Sequence, residues 1–440
     1  MSLRRFRFAA ALCAVSSLFA VPAIAKENTK ELADRAVSDD PAIAQPAVET
    51  LRKMGYEGFD ALLLQYKDLI DAHLAGKADP SKWQKAAYAF DKVARQKDAW
   101  ASGLYWHTDL AEAKAEAARN GKPMISLRLL GNLDEELSCA NSRFFRSILY
   151  TDDRLKKTMR EDFVLHWQSE RPAPVMTVDF GDGRKLVTTV TGNSIHYVLA
   201  PDGRIIDALP GLYSPEFFAN YLSNFPSLLR RMSRPAGRPV EAHRNRIRNF
   251  LLTKWRSDLL KLGADPSKVP TGFPNVLELS GNGENPTAIE AAPRAVTKMV
   301  AEATLLQPTR IQKETLAENT LNEHWKALAE SFGYRGISDE SKSFVRRKYD
   351  PTGSKSDRDF AKMIDRLVES VALDTVQNAY LFHTQILEWL NDGDDQDLGA
   401  FNLRIYSELF LTPASDPWLG LYSDNVFLGV EANGVIPREH

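Results

Sequence analysis

"GKPMISLRLLGNLDEELSCANSRFF", Gly121–Phe145, is the passage on which the fold turns. Pro123–Leu130 is a short apolar run suited to a central strand. A polar loop, "GNLDEEL", follows, and Ser138-Cys139 stands ahead of the helical segment "NSRFFRSILYTDDRLKKTMRED". Three residues after Cys139 comes Ser142, where a dithiol redox enzyme would carry its second cysteine.

Working outward, "DLAEAKAEAARNGKP" reads as a helix with Asp109 at its N-cap, Glu112 at the third helical position and Asn120-Gly121-Lys122-Pro123 as its stop. Downstream, "FVLHWQSE" is the next strand. "MTVDFGDGRKLVTTV" reads as a hairpin turning on Asp182-Gly183. "SIHYVLAPDGRIIDALPG" reads as a second hairpin, turning on Asp202-Gly203. "SPEFFANYLSNF" closes with a helix capped by Ser214, with Pro215 at its first position. The order from Ser126 is strand, helix, strand, paired strands, helix. A mixed sheet flanked by helices is the compact α/β solution.

Over residues 101–230 the motif order "GKPMISLRLL…SCANSRFF…DDRLKKTMREDFVLHW…IHYVLAPDGRIIDALPGLYSPEFFANYL" resembles the thioredoxin-like fold family, in its exported branch. The resemblance implies that Cys139, Ser142, Ser194 and His196 mark the active-site region. It also exposes departures. Ser142 stands in place of the second cysteine, and Ser138 in place of the usual tryptophan. Ser194 stands where the family has a cis-proline facing the site. A cis bond before a non-proline residue costs about 3–4 kcal/mol, so a trans loop is expected there. The hairpin at Asp182-Gly183 also sits where the family often has a helix.

Residues 26–100 read as a helical N-terminal region. Ala47, Leu51, Phe59, Leu62, Leu63 and Leu69 recur at helical spacing, broken by Gly55 and Gly58, and resemble one HEAT-type hairpin. A further helix is expected over 80–98. Residues 231–293 form a basic helix and a Pro/Gly-rich linker. The arginines between 230 and 256 fit either a solvated connecting helix or a docking surface for an acidic partner or for the acidic C-terminal domain. Residues 294–440 read as a helical C-terminal domain, with helices over 294–306, 311–332, 338–349, 357–391 and 399–411. "LTPASDPWLGL" is expected to strap across them through Trp418 and Leu421.

The chain has 440 residues, 44% apolar and 26% charged, with a formal charge of −2. That balance gives no electrostatic case for nucleic acid. Residues 1–25 combine a basic start, an apolar run too short to span a bilayer and a small-residue end. They read as a signal peptide cleaved after Ala25, placing the mature protein in the periplasm or secreted medium. No later stretch reads as a transmembrane segment. Cleavage removes three arginines and Cys13, taking the formal charge from −2 to −5 and leaving Cys139 as the one thiol.

A thiol at a helix N-terminus gains from free amides and the helix dipole. Ser142 is placed to donate a hydrogen bond to it and His196 to polarise it, whereas Glu135 and Glu136 would oppose ionisation. Without a second thiol, a mixed disulfide cannot be resolved within the chain. Two readings stand open. One is a binding or scaffold protein that engages periplasmic partners and has lost dithiol chemistry. The other is a monothiol oxidoreductase or isomerase with Cys139 as nucleophile. His166 reads as a strand histidine. Cys139, His196 and a carboxylate have no certifying metal spacing, and no cofactor motif is present. "DFGDG" is read as a turn and "DGDDQDLGAFN" as an acidic loop.

Overall fold

The computed structural model describes residues 29–190, 192–232, 239–263, 322–332, 336–393, 397–422 and 429–436. The expected signal peptide, the expected linker from 264, the helix expected over 294–306 and the first part of that expected over 311–332 lie outside the described residues.

Six helices come first: α1 (Thr29–Ala36), α2 (Pro41–Lys53), α3 (Tyr56–Gln65), α4 (Lys67–Leu74), α5 (Pro80–Ala94) and α6 (Ala99–Ser102). Gly55, at φ 65°, makes the turn between α2 and α3. Gly58 lets those helices cross closely, since a Cβ there would lie 2.2 Å from the Leu51 carbonyl oxygen. Asp79 caps α5 by accepting from the Lys82 amide at 2.9 Å. This helix stops at Ala94, short of the expected end, where Arg95 turns left-handed.

Next come α7 (Leu110–Asn120), β1 (Met124–Leu130), α8 (Ala140–Phe144), α9 (Asp153–Asp162) and β2 (Val164–Arg171). The single helix expected over 141–162 is therefore broken: a π-turn at Phe145–Leu149 ends α8, and Asp152 caps α9 anew. The strands β3 (Val175–Asp179), β4 (Lys185–Thr189), β5 (Ser194–Leu199) and β6 (Ile205–Pro210) complete the set.

The main sheet runs β2-β1-β5-β6, with β1 and β2 parallel and the other pairs antiparallel. Every residue of β1, β5 and β6 is buried, as strands covered on both faces require. β3 and β4 form a separate, largely exposed hairpin.

The remaining helices are α10 (Pro215–Leu222), α11 (Phe225–Met232), α12 (Pro239–Lys261), α13 (Asn322–Ser331), α14 (Asp339–Tyr349), α15 (Asp357–Gln377), α16 (Thr384–Asn391) and α17 (Leu398–Arg404). π-turns join α15 to α16 and end α17. Among the described residues two hydrophobic clusters hold the fold. One joins α1–α6 around Leu51, Phe59 and Phe90. The other runs from the sheet through Trp255, Val376 and Phe401, so the C-terminal helices share one core with the strands.

The basic stretch after Arg230 is only partly solvated. Arg244 is buried on α12 and donates to the carbonyls of Ile205, Ile206 and Leu390 at 2.7–2.9 Å, fastening β6 to α16. The C-terminal strap is anchored differently from expectation. Trp418 and Leu421 are exposed, whereas Leu411 and Leu419 are buried and Arg171 holds the Asp416 carbonyl at 2.8 Å. Apolar character alone does not tell which side of a strap faces inward. Among the described residues no helix is long and apolar enough to cross a membrane.

Candidate functional site

Cys139 lies beyond the C-terminal end of β1. The chain loops out through Gly131 and returns, so that the Cys139 amide donates to the Leu130 carbonyl at 3.1 Å. Cys139 is the N-cap residue of α8, in extended backbone geometry, and it is fully buried.

The Ser142 hydroxyl is not directed to the thiol. It donates to Ser138 Oγ at 2.6 Å, with the Cys139 carbonyl oxygen at 2.9 Å. Buried Arg146 reaches Ser138 Oγ at 3.2 Å, and Thr189 donates to the Ser138 carbonyl at 2.9 Å. The serine at 142 thus ties the loop before Cys139 to the first turn of the helix after it. Glu135 accepts from Asn132, and Glu136 pairs with Lys348 at 2.9 Å. Burial alone would raise the Glu136 carboxyl, but Lys348 and Arg146 hold it below its usual range.

Opposite Cys139 stands the loop Gly192–Ser194. It approaches so closely that a Cβ on Gly192 would lie 2.4 Å from Cys139 Cβ, and Gly192 adopts φ 137°. Among the described residues no peptide bond is cis. The Ser194 hydroxyl is buried without a partner.

His196 does not polarise the thiol. Its Nε2 pairs with the Tyr150 hydroxyl at 2.7 Å, and its ring sits between Phe145 and Phe218. Burial lowers its pKa to about 3, so it is neutral across the physiological range. His166, on β2, pairs with Ser126 Oγ at 2.8 Å and is likewise lowered to about 3, by burial and by Arg128.

Tyr406 and the segment behind it are the residues that sequence reasoning missed. The Tyr406 hydroxyl donates to the Asn193 carbonyl at 3.0 Å. Asn193 Nδ2 donates back to the Phe410 carbonyl at 3.3 Å, with Thr412 Oγ1 at 3.5 Å. The turn ending α17 therefore lies over the loop that faces Cys139. The phenols of Tyr150 and Tyr406 are both pushed far above their usual range, chiefly by burial, with Glu170 adding to it at Tyr406. Cys139 is thus buried at the start of α8 beneath the Gly192 loop, and the C-terminal segment fastens that loop in place.

A second buried polar group, also missed, spans β6 and the C-terminal helices. Asp207 accepts from its His383 partner at 2.8 Å and from the Tyr221 hydroxyl, with His243 3.9 Å away. Burial alone would push the Asp207 carboxyl up; the His383 ring and Tyr221 outweigh it and hold it below its usual range. A carboxylate inside the apolar run "IIDALP" was the available signal, because such a group demands buried partners. Among the described residues no group of three or more His, Cys, Asp or Glu side chains is placed to hold a metal ion.

Comparison with protein-family models, with curated proteins and with solved structures finds no match.

Proposed function

We propose that residues 101–230 are a thioredoxin-like platform without dithiol chemistry, and that the protein works outside the cytoplasm as a binding scaffold. The strand order, with one parallel pair and a closing antiparallel hairpin, supports the fold reading. The Cys-x-x-Ser spacing and the signal-like residues 1–25 support the rest. The observation that carries the functional reading is the closure of Cys139. Its thiol is buried, Ser142 and His196 are bonded elsewhere, and the Tyr406–Thr412 segment covers the facing loop. A thiolate must be reachable to attack a disulfide.

The direct test is turnover of insulin or scrambled ribonuclease by the purified protein. The expected result is no rate above that of Cys139→Ala. Turnover that depends on Cys139 would return the monothiol reading to first place. Export is checked separately: the protein recovered from a periplasmic fraction should begin at Lys26, and retention in the cytoplasm with residues 1–25 intact would contradict it.

A further inference from the structure

The N-terminal helices meet α14 across a cavity of about 390 Å³, remote in role from Cys139. Its walls are aromatic. His73 and Trp83 stack with ring centroids 3.6 Å apart and planes 6° from parallel, and Trp100 meets both edge-on at 5.2 Å. Phe344 of α14 closes the far side, 5.8 Å from Trp100, and Tyr88 stands 63% exposed at the rim. These rings brace one another, so the shape is set before any ligand arrives.

Of the three cations that line this box, both lysines are held by carboxylates, Lys348 by Glu136 at 2.9 Å as well. Lys97 pairs with Asp91 at 2.8 Å, and Lys348 pairs with Asp98 at 2.7 Å. Arg347 lines the cavity half-buried, with its guanidinium carbon 5.7 Å from the centre of the Trp100 ring. It has no hydrogen-bond or ion-pair partner among the described residues, and its Nε is buried without one. Burial lowers its pKa, yet an arginine keeps its proton in proteins. His73 is lowered by burial and by Arg347, which leaves it uncharged at neutral pH. A partly desolvated guanidinium with no anion is unfavourable unless something supplies one.

The geometry points to a binding site for a small ring-bearing carboxylate. The carboxylate would take the planar, forked donors of Arg347, and the ring would lie against Trp83, Trp100 and Tyr88. A single guanidinium without a direct partner, beside carboxylates already held by Lys97 and Lys348, suits a monoanion better than a phosphate dianion. A cavity of this volume takes a single substituted ring, not a peptide. The inference is independent of the fate of Cys139 and gives the scaffold reading a small-molecule site.

The test is titration of the full-length protein with 4-hydroxybenzoate and with glucuronate, followed by tryptophan fluorescence and calorimetry. Phenol and glucose serve as the uncharged counterparts. At least one acid should bind with Kd below about 1 mM and at least about tenfold more tightly than its counterpart. The acid that binds tells whether an aromatic or a sugar ring is preferred. Arg347→Gln should lose that tenfold while melting no lower than the parent, because it removes an unpaired charge; Arg347→Lys should keep part of the binding. Absence of binding by both acids, equal binding of the neutral compounds, or undiminished binding by Arg347→Gln would each overturn the proposal. The acid-against-neutral comparison decides the matter even if the variants fail to fold.

Discussion

Gly192 is the residue whose backbone decides how near its loop comes to the cysteine. At φ 137°, with no room for a Cβ beside Cys139, only glycine fits. Gly192→Ala is therefore expected to cost about 1–3 kcal/mol, read by urea unfolding, and a neutral variant would contradict the close contact. Three buried histidines set a second expectation. His166 and His196 are lowered to about 3 and His243 to about 4, chiefly by burial, so each is neutral when folded. Their unfolded pKa is about 6.5. Below it the unfolded chain binds protons that the folded one refuses. The stability they contribute is whole above pH 6.5 and is lost as pH falls toward 4 and then 3. Each should contribute about 1.4 kcal/mol per pH unit through that window. Urea midpoints that stay flat between pH 6.5 and 4.5 would contradict the assignment.

Among the elements, those with a local signal were legible in the sequence. Asp109 and Ser214 cap the helices that follow them, and both Asp-Gly turns close hairpins. The placement of Cys139 immediately before a helix was equally local. What stayed hidden depends on partners far along the chain. The break at Phe145–Leu149 follows no proline or glycine, and Ser142 could not be seen to bond Ser138 instead of the thiol. Arg244 could not be told apart from the other arginines of the basic run, because its carbonyl partners lie 38 to 146 residues away. Arg244→Met should strip three carbonyls of their donor at once and cost at least about 3 kcal/mol. Hydrogen exchange would locate the loss in β6 and α16. A loss spread evenly over the molecule, or none, would contradict Arg244 as the fastener of those two elements.

Over the whole molecule, the sheet and the C-terminal helices form one hydrophobic cluster, while α1–α6 enclose another. Amides of β5 and α16 should therefore open with the same free energy, as members of one cooperative unit. The shared core also explains the closed thiol. Tyr406, 213 residues beyond Asn193, can cover the Cys139 loop only because the helices before it are packed on the sheet. Exposure of Cys139 then requires the C-terminal segment to leave, a global event and not a local fluctuation. The most direct measurement is the rate of iodoacetamide labelling of Cys139 at pH 8.5, with and without denaturing urea. The account expects the folded protein to be protected by at least about a thousandfold, with full labelling on unfolding. Stoichiometric labelling of the folded protein within minutes would contradict it.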